Sequence, residues 1–332
     1  MPAIKLVVVG AGAWGTALAI HFASRHQTAL WVRNPEQLAH MREQRINSRY
    51  LPGFLLPDNL ELTEDLQSAA TAADVILLAT PTPALRETLI RLASVLDQQT
   101  LLWACKGFES GSMQLPHRVI EENLPGFDDY GVISGPSFAS EVARGLPTAL
   151  TLASHSKRVR QLAGELHHHH LRMYTSQDVI GVETGGALKN VIAIAAGISD
   201  GLQLGHNARA ALISRGLAEI TRMGVALGGQ PETFMGLTGM GDLILTATSD
   251  QSRNRQVGLR LAAGQPLNQI LGELGHIAEG VNTAVEVSQL AKRLQIDMPI
   301  VDAVQSVVSG RAQPAQAVEQ LLNREPGQEW HD

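Results

Sequence analysis

The sequence is poor in cysteine and aromatic residues, and it has no excess of positive charge. Cys105 is the single cysteine among 332 residues, so an internal disulfide is excluded and a reducing, cytoplasmic location is expected. The net charge of -6 provides no basic stripe to neutralise nucleic-acid phosphates, which argues against nucleic acid as the main partner. A local basic pocket for a small phosphorylated substrate remains compatible with this charge.

Signals for export and membrane insertion are also missing. The first residues lack the basic start and small-residue cleavage site of a signal peptide. No apolar run approaches the roughly 20 residues of a membrane span, so no span is expected. The sequence does contain 44% hydrophobic residues, which is ample for packed cores, and its length indicates two domains.

The strongest motif is a glycine-rich loop between a predicted strand at residues 4–9 and a predicted helix. Its form is G-x-G-x-x-G, with Gly10 permitting a tight turn, Gly12 admitting a pyrophosphate to the backbone, and Gly15 allowing close helix packing. The helix N-terminus offers free N–H groups to phosphates. The motif therefore predicts a bound dinucleotide; the alternative is a turn that binds nothing.

Arg33 follows the second predicted strand, at residues 28–32. Sites selective for NAD have an acidic residue near this position, which binds the ribose 2′-hydroxyl. A guanidinium cannot accept that hydrogen bond, but it pairs well with a 2′-phosphate. The sequence therefore predicts that NADP(H) is accepted and preferred over NAD(H). The alternative is that Arg33 is a solvated residue at the start of the next helix.

Further strands are predicted at residues 74–79, 100–104, 131–133, 148–153 and 171–175. They alternate with helices, which is typical of a doubly wound α/β domain with a mostly parallel sheet. After residue 180 the strands give way to predicted helices at residues 179–202, 207–227, 276–294 and 300–309. We predict a Rossmann-type domain at residues 1–180 and an all-α substrate domain at residues 181–332, with the substrate in the cleft between them.

Four consecutive histidines, His167, His168, His169 and His170, lie between a predicted helix and a predicted strand. Adjacent residues on a strand point to opposite faces, so four side chains in a row cannot converge on one ion. We therefore expect an exposed connector and no physiological metal site.

Two lysines are candidates for the chemistry. Lys106 follows the carboxyl end of a predicted strand, where open α/β sheets bind their ligands. Lys189 lies in a strongly apolar helix, where a charge must find a partner or line a cleft. Burial and a second ammonium nearby would lower its pKa. The alternative at this point is that Lys189 extends into solvent at the domain boundary.

A third cluster comprises Gly239-Met240-Gly241-Asp242-Leu243, then Thr246, then Ser252-Arg253-Asn254-Arg255. Ser252 is placed to cap a helix whose first turn holds Arg253 and Asn254. A cap, free N–H groups and a guanidinium together make an anion site. The alternative is an ordinary capped helix with solvated arginines.

Taken together, these motifs resemble those of bacterial NAD(P)-dependent glycerol-3-phosphate dehydrogenases from end to end. The matching segments are residues 10–19 (GAGAWGTALA), 106–107 (KG), 134–139 (SGPSFA), 185–191 (GGALKNV), 241–243 (GDL), 252–255 (SRNR) and 279–281 (EGV). Each motif alone is weak evidence, whereas the whole series in this order is highly specific. Many relatives have serine where this chain has Ala13, so one hydroxyl contact to the pyrophosphate is expected to be missing.

The resemblance implies reversible reduction of dihydroxyacetone phosphate by NAD(P)H to sn-glycerol 3-phosphate, the backbone precursor of phospholipids, in a homodimer. It implies that Lys189 exchanges the proton, aided by Lys106 and Asp242. The substrate site it implies consists of Lys106, Gly135, Ser137, Lys189, Asn190, Asp242, Thr246, Ser252, Arg253 and Asn254. The cofactor site it implies consists of Gly10, Gly12, Ala13, Trp14, Gly15, Arg33, Lys106, Ala139, Arg253, Ile277 and Glu279.

Two other functions remain open from the residues. One is a Rossmann dehydrogenase of the hydroxyacid type, which needs a carboxylate-binding site. The other is a dinucleotide-binding sensor that regulates a partner without turnover. No metal is required for the dehydrogenase chemistry, because lysine ammonium groups can stabilise the developing oxyanion.

Overall fold

The fold is that of a computed structural model, which describes residues 3–274 and 278–324. The strands are β1 (Lys5–Val9), β2 (Gln27–Trp31), β3 (Ile46–Asn47), β4 (Leu51–Leu55), β5 (Glu61–Thr63), β6 (Val75–Leu78), β7 (Thr100–Trp103), β8 (Tyr130–Ser134), β9 (Thr148–Ala153) and β10 (Leu171–Ser176). The first seven helices are α1 (Ala13–Ala23), α2 (Pro35–Gln44), α3 (Leu66–Thr71), α4 (Leu85–Leu92), α5 (Pro116–Asn123), α6 (Ala139–Ala143) and α7 (Lys157–Leu166). The later helices are α8 (Val179–Gly201), α9 (Gly205–Ala226), α10 (Pro231–Phe234), α11 (Asp242–Thr248), α12 (Arg253–Ala262), α13 (Leu267–Leu274), α14 (Glu279–Leu294), α15 (Pro299–Val308) and α16 (Pro314–Leu322).

Eight strands form one sheet in the order β10-β9-β8-β7-β6-β1-β2-β5. Along this order, the pairs from β8 through β7, β6, β1 and β2 to β5 are all parallel. Strand β9 runs antiparallel to β8 and pairs in parallel with β10. The predicted mostly parallel sheet is confirmed. The short strands β3, β4 and β5 were not predicted, because two to five residues, with a Pro-Gly pair inside β4, carry too little hydrophobic pattern.

The sheet is buried on both faces, and β1 shows how the sequence achieves this. Leu6 and Val8 pack into a core with residues of α1, α2 and α7, while Val7 and Val9 pack into a second core with α3, α4 and α5. Successive residues of a strand point to opposite faces, so an unbroken apolar run supplies both cores. Helices therefore cover each face, as expected for a doubly wound domain.

Helices replace strands after β10: from residue 177 onward the described part of the chain contains no strand. Helix α8 is the centre of this region, and its bounds agree with the helix predicted at residues 179–202, although no apolar run near the length of a membrane span was expected. Its length and hydropathy would suffice for such a span, but 94% of its most apolar window is buried in the protein. A helix that is apolar on all sides is buried, in this case among other helices. The boundary near residue 180 stays a prediction.

The histidine run differs from our expectation at one residue. His167, His169 and His170 are exposed, but His168 is buried. Its ring lies against His21 with centroids 4.2 Å apart. The His168 Nε2 atom also lies 3.3 Å from the His21 carbonyl oxygen, so this one side chain turns inward against the last turn of α1. The expectation of a fully exposed connector is therefore wrong for His168.

Candidate active site

The candidate site lies at the carboxyl edge of the parallel strands, where helix α8 packs against the end of β8. A Cβ atom placed on Gly186 of α8 would lie 2.9 Å from the Ser134 hydroxyl and 3.6 Å from the Lys106 stem. Lys106 follows β7 and Ser134 ends β8. The glycine therefore allows α8 to approach the sheet edge, which brings the two predicted lysines into one region.

Lys106 and Lys189 share a single carboxylate. The Lys106 ammonium donates to Asp242 Oδ2 at 2.7 Å, and the Lys189 ammonium donates to Asp242 Oδ1. Lys189 also donates to the Thr246 hydroxyl, with Nζ and Oγ1 3.0 Å apart. Lys189 is 6% exposed and Asp242 is fully buried. The alternative that Lys189 extends into solvent is therefore wrong; its charge has found a partner.

The pKa of Lys189 is lowered to about 8, chiefly by burial. Asp242 opposes this shift, and the neighbouring Lys106 charge adds to it. Two ammonium groups and one carboxylate leave the cluster with a net positive charge. An amine with this pKa can donate and accept a proton near neutral pH, and the adjacent Lys106 can stabilise negative charge on an oxygen.

A second polar group joins helices α8, α12 and α14 beside the lysines. The Asn190 side-chain amide donates to Glu279 Oε2 at 3.2 Å, and the Gly280 N–H donates to Asn254 Oδ1 at 3.1 Å. A Cβ on Gly280 would lie 2.7 Å from both the Asn190 carbonyl and Asn254 Oδ1. Burial raises the pKa of Glu279. This contact places three of the predicted site residues together.

The first turn of α12 has the predicted cap. The Ser252 hydroxyl accepts the Arg255 N–H at 3.3 Å, and the neighbouring Arg253 side chain is exposed. Arg255 is buried and forms ion pairs with Asp200 and Asp250. The alternative of two solvated arginines is therefore wrong for Arg255. A helix N-terminus with the exposed Arg253 beside it can receive an anion.

The glycine loop has a shape that accepts a dinucleotide. Gly10 has a φ of +118°, and a Cβ there would lie 3.0 Å from the Ala79 carbonyl. A Cβ on Gly15 would lie 1.9 Å from the Gly10 oxygen, so glycine closes the turn. At Gly12, which precedes α1, a Cβ would meet no atom within 4 Å in the described residues. This open backbone and the helix N-terminus fit a pyrophosphate.

Two residues that the sequence motifs did not single out hold the loop in place. The side-chain amides of Gln37 and Asn47 both donate to the Ala11 carbonyl, at 3.0 and 2.9 Å. Asn47 also donates to the Thr16 hydroxyl at 2.7 Å. The only sequence signal is the presence of amide residues after β2, which is too common to distinguish them.

The remaining predicted cofactor residues lie around the loop. Trp14 and Ala139 pack against one small apolar cluster that contains Ala17 and Val142. Arg33 is exposed, immediately before the residue that caps α2. This position is compatible with a 2′-phosphate contact and with a solvated residue. Ile277 lies outside the described residues.

The loop after β8 reaches the lysine cluster. Gly135 has a φ of +145°, and the Ser137 hydroxyl donates to its carbonyl at 3.1 Å. A Cβ on Gly241 would lie 3.7 Å from Pro136 Cγ, so this loop meets the residue before Asp242. The predicted substrate residues Gly135 and Ser137 thus lie beside the start of α11.

Two buried hydroxyls at this edge were not among the site residues assigned from the sequence. Thr80 and Ser134, which follow or end apolar strands, have buried hydroxyl oxygens without a partner among the described residues. Thr82 donates from its hydroxyl to the Lys106 carbonyl at 3.1 Å. A hydroxyl residue at the carboxyl end of a strand is the signal that would have identified Thr80 and Ser134.

Comparison with known proteins assigns both halves of the chain to one family. The N-terminal model of NAD-dependent glycerol-3-phosphate dehydrogenase matches residues 5–160, and the C-terminal model matches residues 178–319. The D-mandelate dehydrogenase complex with NADH, at 16% identity and a TM-score of 0.60, shares the fold alone.

Similar proteins cover nearly the whole chain. The glycerol-3-phosphate dehydrogenase of Nitrosospira multiformis, named as using NAD(P)+, is 56% identical over 331 residues, covering 98% of this chain and 99% of its own. That of Thiobacillus denitrificans is 57% identical, with 97% and 98% covered. The crystal structure of the Coxiella burnetii glycerol-3-phosphate dehydrogenase has a TM-score of 0.93 at 40% identity, with 97% and 99% covered. The chain therefore belongs to the glycerol-3-phosphate dehydrogenase family of NAD(P)-dependent oxidoreductases.

Proposed function

We propose that this protein catalyses the reversible reduction of dihydroxyacetone phosphate to sn-glycerol 3-phosphate, with NAD(P)H as the hydride donor. The observation that carries the proposal is the pair of lysines held by Asp242 at the sheet edge that also bears the glycine loop. A ketone reduction requires a proton donor and a positive charge beside the carbonyl oxygen, and this cluster supplies both.

In the proposed mechanism a nicotinamide cofactor held by the glycine loop and the residues around it would supply the hydride for the carbonyl carbon. As the carbonyl oxygen gains charge, the Lys106 ammonium stabilises it and the Lys189 ammonium transfers a proton to it. Lys189 is left as a neutral amine and regains a proton from solvent. In the reverse direction the neutral amine accepts the hydroxyl proton. Asp242 holds both lysines, and Thr246 holds the Lys189 Nζ atom.

We assign the substrate phosphate to the start of α12. Ser252, Arg253 and Asn254 supply a helix N-terminus, an exposed guanidinium and a side-chain amide. We also assign Asn190, Gly135 and Ser137 to the substrate site. Binding the remote phosphate would orient the carbonyl, so the phosphate contributes to turnover as well as to affinity.

We assign the cofactor to the glycine loop and the residues around it. Backbone N–H groups at Gly12 and Ala13 would receive the pyrophosphate, since Ala13 lacks a hydroxyl. Trp14, Ala139 and Glu279 would line the remainder of the site. Ile277, which lies outside the described residues, is assigned only on the resemblance.

The deciding assay is the decrease of NADPH absorbance with dihydroxyacetone phosphate, run beside unphosphorylated dihydroxyacetone. Rapid decay only with the phosphorylated ketone supports both the reaction and the phosphate anchor. We expect Arg253→Ala to raise KM for the phosphorylated ketone by about 30-fold, because a charged hydrogen bond is lost. Arg260→Ala, in the last turn of the same helix, is the matched control. An unchanged KM for Arg253→Ala would place the phosphate elsewhere.

NADP(H) preference is a separate proposal that depends on Arg33. The Arg33→Asp variant should weaken NADPH binding at least ~10-fold and leave NADH binding nearly unchanged, because the guanidinium contacts only the 2′-phosphate. Fluorescence titration with both cofactors measures this, and NADH is the internal control. Equal losses for both would show that Arg33 does not bind the 2′-phosphate.

We also propose that the enzyme is a cytoplasmic homodimer. Its single thiol, Cys105, is buried and free, which suits a reducing compartment. Exposed apolar side chains on the helical region, such as Leu204 and Leu322, are compatible with a subunit contact. Light scattering should give twice the chain mass of 35.6 kDa; the mass of a single chain would reject the dimer.

A further inference from the structure

Arg253 and Arg255 are two residues apart in the first turn of α12, but the structure gives them opposite environments. A helix turns by about 100° per residue, so two residues that are two positions apart lie on nearly opposite sides of it. Arg253 is exposed, whereas the Arg255 side chain is 9% exposed. The motif that suggested an anion site therefore contains one available guanidinium and one enclosed guanidinium.

All three nitrogens of the Arg255 guanidinium donate to carboxylates. Nε and Nη2 donate to Asp200 Oδ2 at 3.0 and 2.7 Å, and Nη1 donates to Asp250 Oδ1 at 2.6 Å. Its guanidinium is already paired with two carboxylates, so Arg255 offers no countercharge to a substrate anion. Its role must be sought in what these ion pairs hold together.

The ion pair with Asp200 connects α12 to the helix that carries the proton donor. Asp200 lies on α8, eleven residues, or about three turns, after Lys189. The two helices also touch through their backbones. A Cβ on Gly197 would lie 2.1 Å from the Arg255 carbonyl oxygen, and one on Gly258 would lie 2.1 Å from the Ile194 oxygen. Helix α8 thus sets the separation between the start of α12 and Lys189.

We propose that Arg255 is a positioning residue: its clamp on Asp200 and Asp250 fixes the phosphate anchor at the start of α12 relative to Lys189. Through this clamp Arg255 makes the enzyme specific for a phosphorylated ketone over its unphosphorylated analogue. The inference rests on the proposed function, because it concerns the substrate phosphate assigned to Ser252, Arg253 and Asn254. It adds a residue that touches neither substrate nor cofactor.

The clamp has a neighbour that provides a matched control. Arg209 of α9 also pairs with Asp200, with Nη1 3.2 Å from Oδ2. Removing Arg209 leaves the same carboxylate paired with Arg255 and does not release α12. Replacing either arginine therefore removes one positive charge beside Asp200, but only replacing Arg255 breaks the contact between α8 and α12.

The experiment compares Arg255→Met, Arg255→Lys and Arg209→Met with the unmodified enzyme. For each, kcat and KM are measured with dihydroxyacetone phosphate and with dihydroxyacetone at saturating NADPH. We expect Arg255→Met to lower kcat/KM for the phosphorylated ketone by about 30-fold, mainly through KM, as for a lost charged contact. With dihydroxyacetone the change in kcat/KM should stay within about twofold, because this substrate has no phosphate to position. Arg255→Lys should recover part of the loss, and Arg209→Met should leave kcat and KM unchanged with both substrates.

Equal losses on both ketones would overturn the proposal, since they indicate a general structural role. An unchanged KM for the phosphorylated ketone, or an equal effect of Arg209→Met, would overturn it as well.

If Arg255→Met does not fold, Asp250→Asn replaces it. The Asp250 carboxylate is 91% exposed, and its loss should raise the same KM about threefold, a typical effect of a weak surface pair. An unchanged KM in Asp250→Asn would then overturn the proposal.

Calorimetric titration with sn-glycerol 3-phosphate separates this inference from the proposed function. If the unmodified enzyme does not reduce dihydroxyacetone phosphate, the proposed reaction fails. Weaker glycerol-phosphate binding by Arg255→Met than by Arg209→Met would still support the clamp. Equal binding by the two variants would reject it.

Discussion

Lys189 illustrates how the environment of a single residue gives it a chemical role. Its ammonium is surrounded by an apolar helix, one carboxylate and a second ammonium. Burial and Lys106 favour the neutral amine, and Asp242 favours the charged form. The balance brings the pKa of Lys189 to about 8, where both protonation states are accessible to an enzyme working near neutral pH.

The first prediction at this scale concerns the proton transfer itself. The Lys189→Ala variant should lose about 10³-fold in kcat, the usual contribution of a general acid, while its Kd for NADPH stays within about twofold. Absorbance kinetics and fluorescence titration measure the two quantities. Lys292→Ala, which removes an exposed lysine of α14, should leave both unchanged. Near-normal kcat in Lys189→Ala would remove this residue from the mechanism.

The pH dependence follows from the same residue. Ketone reduction requires the Lys189 ammonium, so kcat/KM for reduction should fall as the pH rises through about 8. Alcohol oxidation requires the neutral amine and should rise over the same range. Because the Asp242 carboxylate raises the pKa of Lys189, Asp242→Asn should move both midpoints to lower pH. Midpoints that stay in place would show that another group controls the profile.

At the scale of elements, the glycine loop and helix α8 were the parts most accessible from sequence. A strand, three spaced glycines and a helix define a local conformation, so the loop was predicted residue by residue. Except for β5, the strands of the sheet were likewise predicted, because short apolar runs that alternate with helices favour a parallel sheet buried on both faces. The antiparallel direction of β9 was not predicted, since the hydrophobic pattern of a strand is the same in either direction.

The loop provides a prediction that separates folding from cofactor binding. Gly15→Ala places a Cβ 1.9 Å from the Gly10 oxygen, so it should destabilise the protein by about 2 kcal/mol, as for an overpacked site. Gly12→Ala meets no described atom within 4 Å, so its Tm should be unchanged while its Kd for NADPH rises ~10-fold or more, because the pyrophosphate approaches there. Thermal unfolding and cofactor titration test the pair. A lower Tm in Gly12→Ala would contradict this division of roles.

At the scale of the whole molecule, residues far apart in sequence determine how the protein responds to acid. His21 at the end of α1 packs against His168, 147 residues later. Burial and the nearby histidines lower the pKa of His21 to about 3, and burial lowers the pKa of His168 and His26. The folded protein therefore holds these rings neutral, and this contribution to stability is present above pH 6.5 and lost as the pH falls.

Acid unfolding should show this effect directly. With a pKa of about 3 in the folded state and about 6.5 unfolded, His21 alone costs about 2 kcal/mol of stability between pH 7 and pH 5. Urea unfolding at the two pH values measures the difference. His21→Leu should reduce the difference in unfolding free energy between the two pH values, whereas His155→Leu, at an exposed position, should not. The same pH dependence in both variants would exclude a role for the cluster.

The sequence by itself determined the longer strands of the sheet, helix α8, the glycine loop, the family and the list of candidate site residues. These properties depend on local conformation, on short motifs and on which face of a strand or helix is apolar. Only the tertiary structure decided that Lys106 and Lys189 share Asp242, across 136 and 53 residues of chain. It also decided that Arg255 is enclosed where Arg253 is exposed, and that His168 turns inward. Such contacts depend on how α8, α11 and α12 pack together, and packing is a property of the assembled core that no local pattern contains.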